Sequence, residues 1–353
     1  MTNVEKYLSL LADGQGLLLT SRYSRYYAAQ FDIAEGVAVV SKAGCRYFTD
    51  SRYIESAQNN IAGFTVLEMN RSNPFAQLIN AACKDFGITE LGYEEEYLTV
   101  AEFMGYEQKL DARLQPMGER INAFRAYKEP WELELIRKAQ VITDEAFAQL
   151  LPCIREGMTE KELTAELIYR LYRCGADGLA FDPIVISGPN TSMPHGVPGE
   201  RALQAGDFIT MDFGAMYKGY CADMTRTVAL GYVTEEMKTV YDTVLQAQLA
   251  GLAATRAGLT GAQVDGAARK VIEDAGYGQY FGHSYGHGIG MECHEMPACS
   301  PGGKEPIGAG AVCSAEPGIY LPGKFGVRIE DLVIFTEAGC ENITHSPKEL
   351  IIV

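Results

Sequence analysis

Positive charge is scarce in this chain. Its 30 Lys and Arg stand against 46 Asp and Glu, a net charge of −16, which argues against nucleic acid and anionic membrane surfaces as partners. Long apolar runs are missing too: none reaches the roughly 18 residues that would suggest a membrane span. The first stretch, MTNVEKYLSLLADGQG, is acidic and polar, unlike a signal peptide. The nine cysteines form no CxxC pair, so neither a zinc finger nor a disulfide framework is expected. Reduced thiols point to a cytoplasmic protein. Cys293 and Cys299 flank an interesting stretch, but their spacing fits no finger, and a structural or incidental role is expected for them. Histidine is equally sparse, five in all, yet three of the five (His283, His287 and His294) fall within GHSYGHGIGMECHEMP. Core packing requires no such cluster, and the glycines around it let the backbone approach a metal or a substrate closely.

What the chain has in quantity is acid, and four acids stand in conspicuous places. FITMDFGAM alternates like a strand, Tyr217-Lys218-Gly219 offers a turn, and CADMTRTVAL reads as a second strand. A turn about Tyr217 and Lys218 would set Asp212 directly across from Asp223, roughly 4.5–5.5 Å apart at Cβ. Glu316 and Glu330 flank Leu321-Pro322-Gly323-Lys324, whose Pro and Gly suit a type II turn, so these two should also face each other. Carboxylates that close repel, and burying them in an apolar sheet is prohibitive unless cations neutralise them. Two divalent ions balance four carboxylates, and such a pair can activate water for hydrolysis. A mostly oxygen ligand set with one imidazole leans towards Mn²⁺, with Co²⁺, Fe²⁺ or Zn²⁺ admitted.

The order Asp212, Asp223, His287, Glu316, Glu330, in the contexts DFGAMYKGYCADMTRT, GHGIG, AEPGIY and RIED, resembles the pita-bread metallopeptidases. Members include methionine aminopeptidase, Xaa-Pro aminopeptidase and Xaa-Pro dipeptidase (prolidase). The resemblance implies that Asp223 and Glu330 bridge two metals, with Asp212 on one ion and His287 and Glu316 on the other. It also implies that Glu316 shuttles a proton to the leaving nitrogen. His294 would donate a proton or stabilise the oxyanion, His195 in the loop SGPNTSMPHGVPGE would help hold the proline-side carbonyl or the intermediate, and His283 would stand at the pocket wall. Arg328, two residues before Glu330, shares its face on a strand and could orient it.

Residues 1–122 read as a small α/β domain in which strands (GLLLTS, GVAVVSK, RYFTD, FTVLEM, ELGY) alternate with helices, one of them NPFAQLINAACKDFG ending on Gly87. The pattern resembles the N-terminal domain of creatinase, aminopeptidase P and prolidase, which methionine aminopeptidase lacks. Residues 123–353 would form the pita-bread catalytic domain. It opens with a long helix carrying Pro130 in its first turn, followed by a second helix with Thr159 as N-cap and Glu162 completing a capping box. Two more helices, EEMKTVYDTVLQAQLAGLAAT and GAQVDGAARKVIEDAG, precede the second acidic hairpin. Helices beside each hairpin hint at a pseudo-twofold curved antiparallel sheet with outer helices and the metals at the seam.

The expected function is therefore hydrolysis of the Xaa-Pro bond by a two-metal enzyme, on peptides with proline in second position. A dipeptidase must also bind the free carboxylate of its terminal proline, for which arginine is the natural partner. Many of the sequences it resembles carry arginine shortly after this segment, whereas HEMPACSP has Ala298 and no arginine nearby, which leans towards the aminopeptidase and leaves prolidase open, with Arg328 or a partner subunit's arginine as substitutes. Retention of all five ligands disfavours creatinase and a catalytically silent scaffold. Family members are commonly homodimers, so a dimer is the expectation.

Overall fold

The computed structural model describes residues 2–353, and the chain divides into two compact units between Phe124 and Arg125. The N-terminal unit is built on a six-stranded mixed sheet. Its strands run, edge to edge, Thr65–Glu68, Gly44–Thr49, Val37–Ser41, Gln15–Leu19, Glu90–Tyr93 and Arg113–Pro116. The central strands are the apolar runs of the sequence, and Leu17, Leu18, Leu19, Val39 and Val40 are fully buried. The helix Phe75–Phe86 packs its apolar face on the sheet and stops at Gly87, whose φ of +67° closes it as a left-handed cap. Two helices, Asn3–Ser9 and Arg22–Ala29, and the edge strand Arg113–Pro116 were not expected. RLQP, short and half exposed, has no apolar run to announce it.

The second unit, 125–353, is wholly antiparallel in its sheets and carries helices in pairs. Pro130–Leu150 begins with Pro130 at its first position, and Glu160–Arg173 begins with the Thr159 and Glu162 capping box. This pair covers one apolar core, in which Leu163, Leu167 and Leu171 form a buried stripe at i, i+4 spacing against Met211, Phe213 and Val228. Burying each such leucine is worth about 1.5–3 kcal/mol. Glu235–Ala254 and Gly261–Asp274 cover a second core built on Cys313, Ala315, Val327 and Val333. The two halves thus repeat one plan, a helix pair over a short sheet, as the pita-bread fold requires.

The first acidic hairpin pairs Phe208–Phe213 with Met224–Ala229, and Ile184–Ser187 lies on its other side. Its register corrects the expectation. Asp212 faces Thr225, not Asp223, because the turn is centred on Lys218-Gly219 and Tyr217 pairs with Tyr220. Lys218 takes a positive φ of 45° and Gly219 one of 75°, as a two-residue hairpin with the favoured twist demands. The offset is two residues, so Asp223 keeps the face of Asp212 and becomes its diagonal neighbour. Between the strands the ladder breaks at Gly214 and at Ala222-Asp223. A Cβ on Gly214 would lie 1.7 Å from the Ala222 carbonyl oxygen, so only glycine lets the chains cross there.

The second hairpin keeps the expected register. Ala315 faces Asp331 and Gly318 faces Arg328, and the same register carried through the intervening residues sets Glu316 across from Glu330. Lys324 N donates to Leu321 O at 3.0 Å and Gly323 has φ +73°, which is the type II turn read from Pro322-Gly323.

Candidate metal centre

The two hairpins are stitched together by hydroxyls and guanidinium groups. Glu330 N donates to Thr225 O at 3.1 Å, and Thr227 Oγ1 donates to Arg328 O at 3.0 Å. Arg226, only 1% exposed, donates through Nη1 to the Glu330 carbonyl at 2.5 Å and through Nη2 to Asp331 Oδ1 at 2.7 Å. Asp212, Asp223 and Glu330 are held against this seam.

His287 is brought to the carboxylates by the three-residue strand Gly286–Gly288. Its flanking glycines admit no Cβ: one on Gly286 would lie 2.0 Å from Ser314 O, and one on Gly288 2.4 Å from the Met296 backbone. Ser314 Oγ accepts from the backbone His287 N at 2.9 Å and donates to Glu316 Oε1 at 3.0 Å, which ties the His287 backbone and the Glu316 carboxylate to one hydroxyl. His287 Nε2 stands 3.3 Å from Glu316 Oε1 and 3.5 Å from Asp223 Oδ2. Asp223, His287 and Glu330 each offer a ligand atom within 4.8 Å of the others.

Three observations decide whether these residues fit a metal. First, His287 Nδ1 lies 3.2 Å from Gly288 O. A carbonyl only accepts, so Nδ1 carries the proton. Burial lowers the His287 pKa and keeps the ring neutral, which leaves Nε2 a lone pair facing two carboxylates. Second, Asp212 Oδ1, Asp223 Oδ1 and Glu330 Oε1 are buried without a hydrogen-bond partner. Third, the carboxylates crowd one another. Burial, and then the charges of Asp212 and Glu316, hold Asp223 well above the usual carboxylate range. Burial followed by Asp223 does the same to Glu330. Glu316 rises to about 7 through burial, against the pull of Arg328 and with the push of Asp212. Acceptors aimed at acceptors in a dry pocket are what divalent cations relieve, and the donor set suits them.

The same pocket, a cavity of about 380 Å³, is lined by all five of these residues and by His195, His283, His294 and Arg328. His195 is exposed on its loop and faces the cavity, and His294 lies over His287 with ring centroids 4.1 Å apart. His283 sits deeper. Its Nε2 is 2.8 Å from Tyr320 Oη, and burial pushes its pKa down to about 4. Arg328 does more than sit beside Glu330: Nη2 reaches Asp212 Oδ2 at 2.6 Å, Nε reaches Thr225 Oγ1 at 3.0 Å, and Nη1 reaches Tyr320 Oη at 2.9 Å and Pro194 O at 3.2 Å.

Four side chains in contact with the candidate site residues were not read from the sequence: Thr225, Ser314, Tyr320 and Cys293. Thr225 and Ser314 each stand two residues from an acidic ligand, and that same-face spacing was the signal for them. Cys293, for which a structural or incidental role is expected, lies against a carboxylate of the pocket. It lines the cavity, its Sγ is 3.3 Å from Asp223 Oδ2, and burial and that carboxylate drive its pKa far up. Cys299, by contrast, is buried in the core of the second half, as expected.

Comparison with known proteins gives the family. Residues 134–337 match the model of metallopeptidase family M24, and residues 12–127 that of the creatinase/prolidase N-terminal domain. The chain is 41% identical over 339 residues to the "Uncharacterized peptidase YqhT" of Bacillus subtilis (strain 168), covering 96% of each protein. Among solved structures it resembles an Xaa-Pro dipeptidase from Bacillus anthracis, with a TM-score of 0.96, 40% identity and 99% of each chain covered. It also resembles an X-Pro aminopeptidase from Thermotoga maritima MSB8, with a TM-score of 0.91, 37% identity, and 96% of this chain and 97% of that one covered. With five metal-ligand candidates gathered in one pocket and both family models matched in order, the chain belongs to metallopeptidase family M24, a pita-bread unit preceded by a creatinase-like domain.

Proposed function

We propose that this chain hydrolyses the peptide bond preceding proline and releases the residue N-terminal to it, as an Xaa-Pro aminopeptidase. The observation that carries the peptidase reading is the convergence of three partnerless buried carboxylate oxygens with the lone pair of His287. Asp212, Asp223, His287, Glu316 and Glu330 would hold two divalent cations, with Mn²⁺ as the first choice for so oxygen-rich a set. When bound, these ions supply Lewis acidity and activate water. The chain's own groups do the rest. Glu316, aligned by Ser314 Oγ, carries a proton towards the leaving nitrogen. His294 donates to the developing oxyanion, and His195 holds the carbonyl on the proline side. The Xaa-Pro preference rests on the names of the relatives, which are an Xaa-Pro dipeptidase and an X-Pro aminopeptidase.

The choice between those two activities turns on Arg328. Among the described residues lining the cavity it is the one Lys or Arg. Its guanidinium is already committed to Asp212, Thr225, Tyr320 and Pro194, so it is not free to receive the carboxylate of a terminal proline. Ala298 lines the same cavity with nothing to offer a carboxylate. This supports release of the first residue from longer peptides. The dipeptidase reading is supported by similarity to several Xaa-Pro dipeptidases, the B. anthracis protein among them. Hydrolysis of Gly-Pro against Gly-Pro-Gly by Mn²⁺-loaded protein tests the choice: the tripeptide should be cut and the dipeptide spared. Cleavage of the dipeptide alone makes the chain a prolidase, and cleavage of neither makes it a silent scaffold. Returning Mn²⁺, Co²⁺ and Zn²⁺ separately to stripped protein tests the metal. Light scattering tests the homodimer, which is part of the same proposal.

A further inference from the structure

The loop 187–200, which carries His195, closes on a single carboxylate that belongs to none of the strands of the metal centre. Glu160, the first residue of the helix Glu160–Arg173, is 0% exposed. Its Oε1 accepts from Ser187 N at 2.8 Å, Ser187 Oγ at 2.9 Å and Asn190 Nδ2 at 2.9 Å, while Oε2 accepts from Gly199 N at 2.9 Å. Both ends of the loop and its first turn thus meet on one side chain. The neighbouring backbone follows suit, with Glu160 N donating to Arg201 O at 3.1 Å and Lys161 N to Gly199 O at 3.2 Å. Arg201 Nη1 donates to Ser187 Oγ at 2.7 Å and to Asp207 Oδ2 at 2.5 Å, which fixes that hydroxyl from behind.

Capping does not explain Glu160. The helix N-terminus is already capped by Thr159 and Glu162 in a complete box. A buried carboxylate is costly unless several donors hold it, and here all four donors come from the loop and serve the loop's shape. On its other flank the loop is tied to the metal hairpins. Thr191 Oγ1 accepts from Gly326 N at 2.8 Å, and Pro194 O, one residue before His195, accepts from Arg328 Nη1 at 3.2 Å.

We infer that Glu160 is a positioning residue for catalysis: it locks loop 187–200 in the arch that presents His195 to the cavity. The inference rests on the role given to His195 above. Glutamine is the sharp probe. It keeps the size, but in either orientation its NH₂ faces N–H groups that need an acceptor. E160Q should raise hydrogen–deuterium exchange across 187–200 and lower kcat/KM for Gly-Pro-Gly by about tenfold, within the range that misplacing a catalytic group costs. In an H195A background the same change should cost less than about twofold more, because the group being positioned is gone. Should E160Q not fold, N190A removes one of the four bonds and should move both readouts the same way, by less. Unchanged exchange, or the full tenfold loss repeated in the H195A background, overturns the latch. An H195A enzyme as active as its parent overturns instead the role assigned to His195, and exchange across the loop then decides the latch by itself.

Discussion

Arg328 Nη2 stands 2.6 Å from Asp212 Oδ2, an ion pair made across the two acidic hairpins in a place where both side chains are nearly dry. Through Nε the same guanidinium touches Thr225 Oγ1, and that hydroxyl donates to Glu330 Oε2 at 2.6 Å. One cation therefore turns a carboxylate from each hairpin so that the other oxygen of each, Asp212 Oδ1 and Glu330 Oε1, is left without a partner. The net charge left in the pocket still calls for metal.

Arg328→Lys keeps the charge and loses the fork. A lysine has one nitrogen and cannot reach Asp212, Thr225, Tyr320 and Pro194 together. Mn²⁺ affinity, measured by calorimetric titration of stripped protein, should fall about 10–100-fold, the usual cost of losing a group that orients ligands. An unchanged affinity would mean the ligands orient themselves.

Thr225→Val removes one oxygen at constant shape. It leaves Arg328 Nε and Glu330 Oε2 each short of a partner, a penalty of about 1–3 kcal/mol in unfolding free energy. Metal affinity should drop with it, and Thr225→Ser should restore both. A valine variant as stable and as metal-avid as the parent would remove Thr225 from the orienting set.

The candidate ligands were legible because acid in an apolar strand is rare and can be paired by arithmetic about a turn. That arithmetic held for Glu316 and Glu330, where Pro322-Gly323 fixes the turn. It missed by two residues for Asp212 and Asp223, where Lys218 takes the left-handed conformation that a reader assigns to Gly219 alone. An even error spared the conclusion, since an odd one would have put Asp223 on the opposite face. Thr225, Ser314 and Tyr320 stayed hidden for a different reason. Hydroxyls are common on strands, and only the third dimension says which of them touches a carboxylate. The edge strand Arg113–Pro116 and the latch at Glu160 are likewise set by tertiary contacts, which no local pattern encodes.

Metal removal should invert the usual response of stability to pH. Glu316 has its pKa raised from 4.5 to about 7 in the folded chain, and Asp223 and Glu330 are raised as well. Between pH 4.5 and 7 the folded chain then holds protons that the unfolded chain has released. Stability of the stripped protein is therefore greatest below pH 4.5 as far as these groups are concerned, and falls as pH rises through 7. The loss is on the order of 3 kcal/mol from Glu316 alone. Saturating Mn²⁺ should erase the fall, because metal displaces those protons and binds more tightly as pH rises. Thermal melts of stripped and loaded protein from pH 5 to 8 make the comparison. Parallel curves would show that the carboxylates are not the metal's partners.

Ala298→Arg tests how the pocket tells a dipeptide from a longer peptide. Ala298 is exposed, lines the cavity and sits on the strand Glu295–Cys299 opposite His287. An arginine there would place a free fork in a cavity whose resident guanidinium is already committed. A free proline carboxylate is the group such a fork captures, and a hydrogen bond to a charged group is worth about 1.5–3 kcal/mol, or roughly 10–100-fold in relative kcat/KM. The ratio of Gly-Pro to Gly-Pro-Gly hydrolysis should rise by that factor, mostly through a lower KM for the dipeptide. The tripeptide carries its carboxylate one residue further out and should gain little. If the parent already prefers Gly-Pro and the substitution leaves the ratio where it was, the carboxylate is bound elsewhere, and the chain's lack of a free cavity arginine says nothing about its specificity.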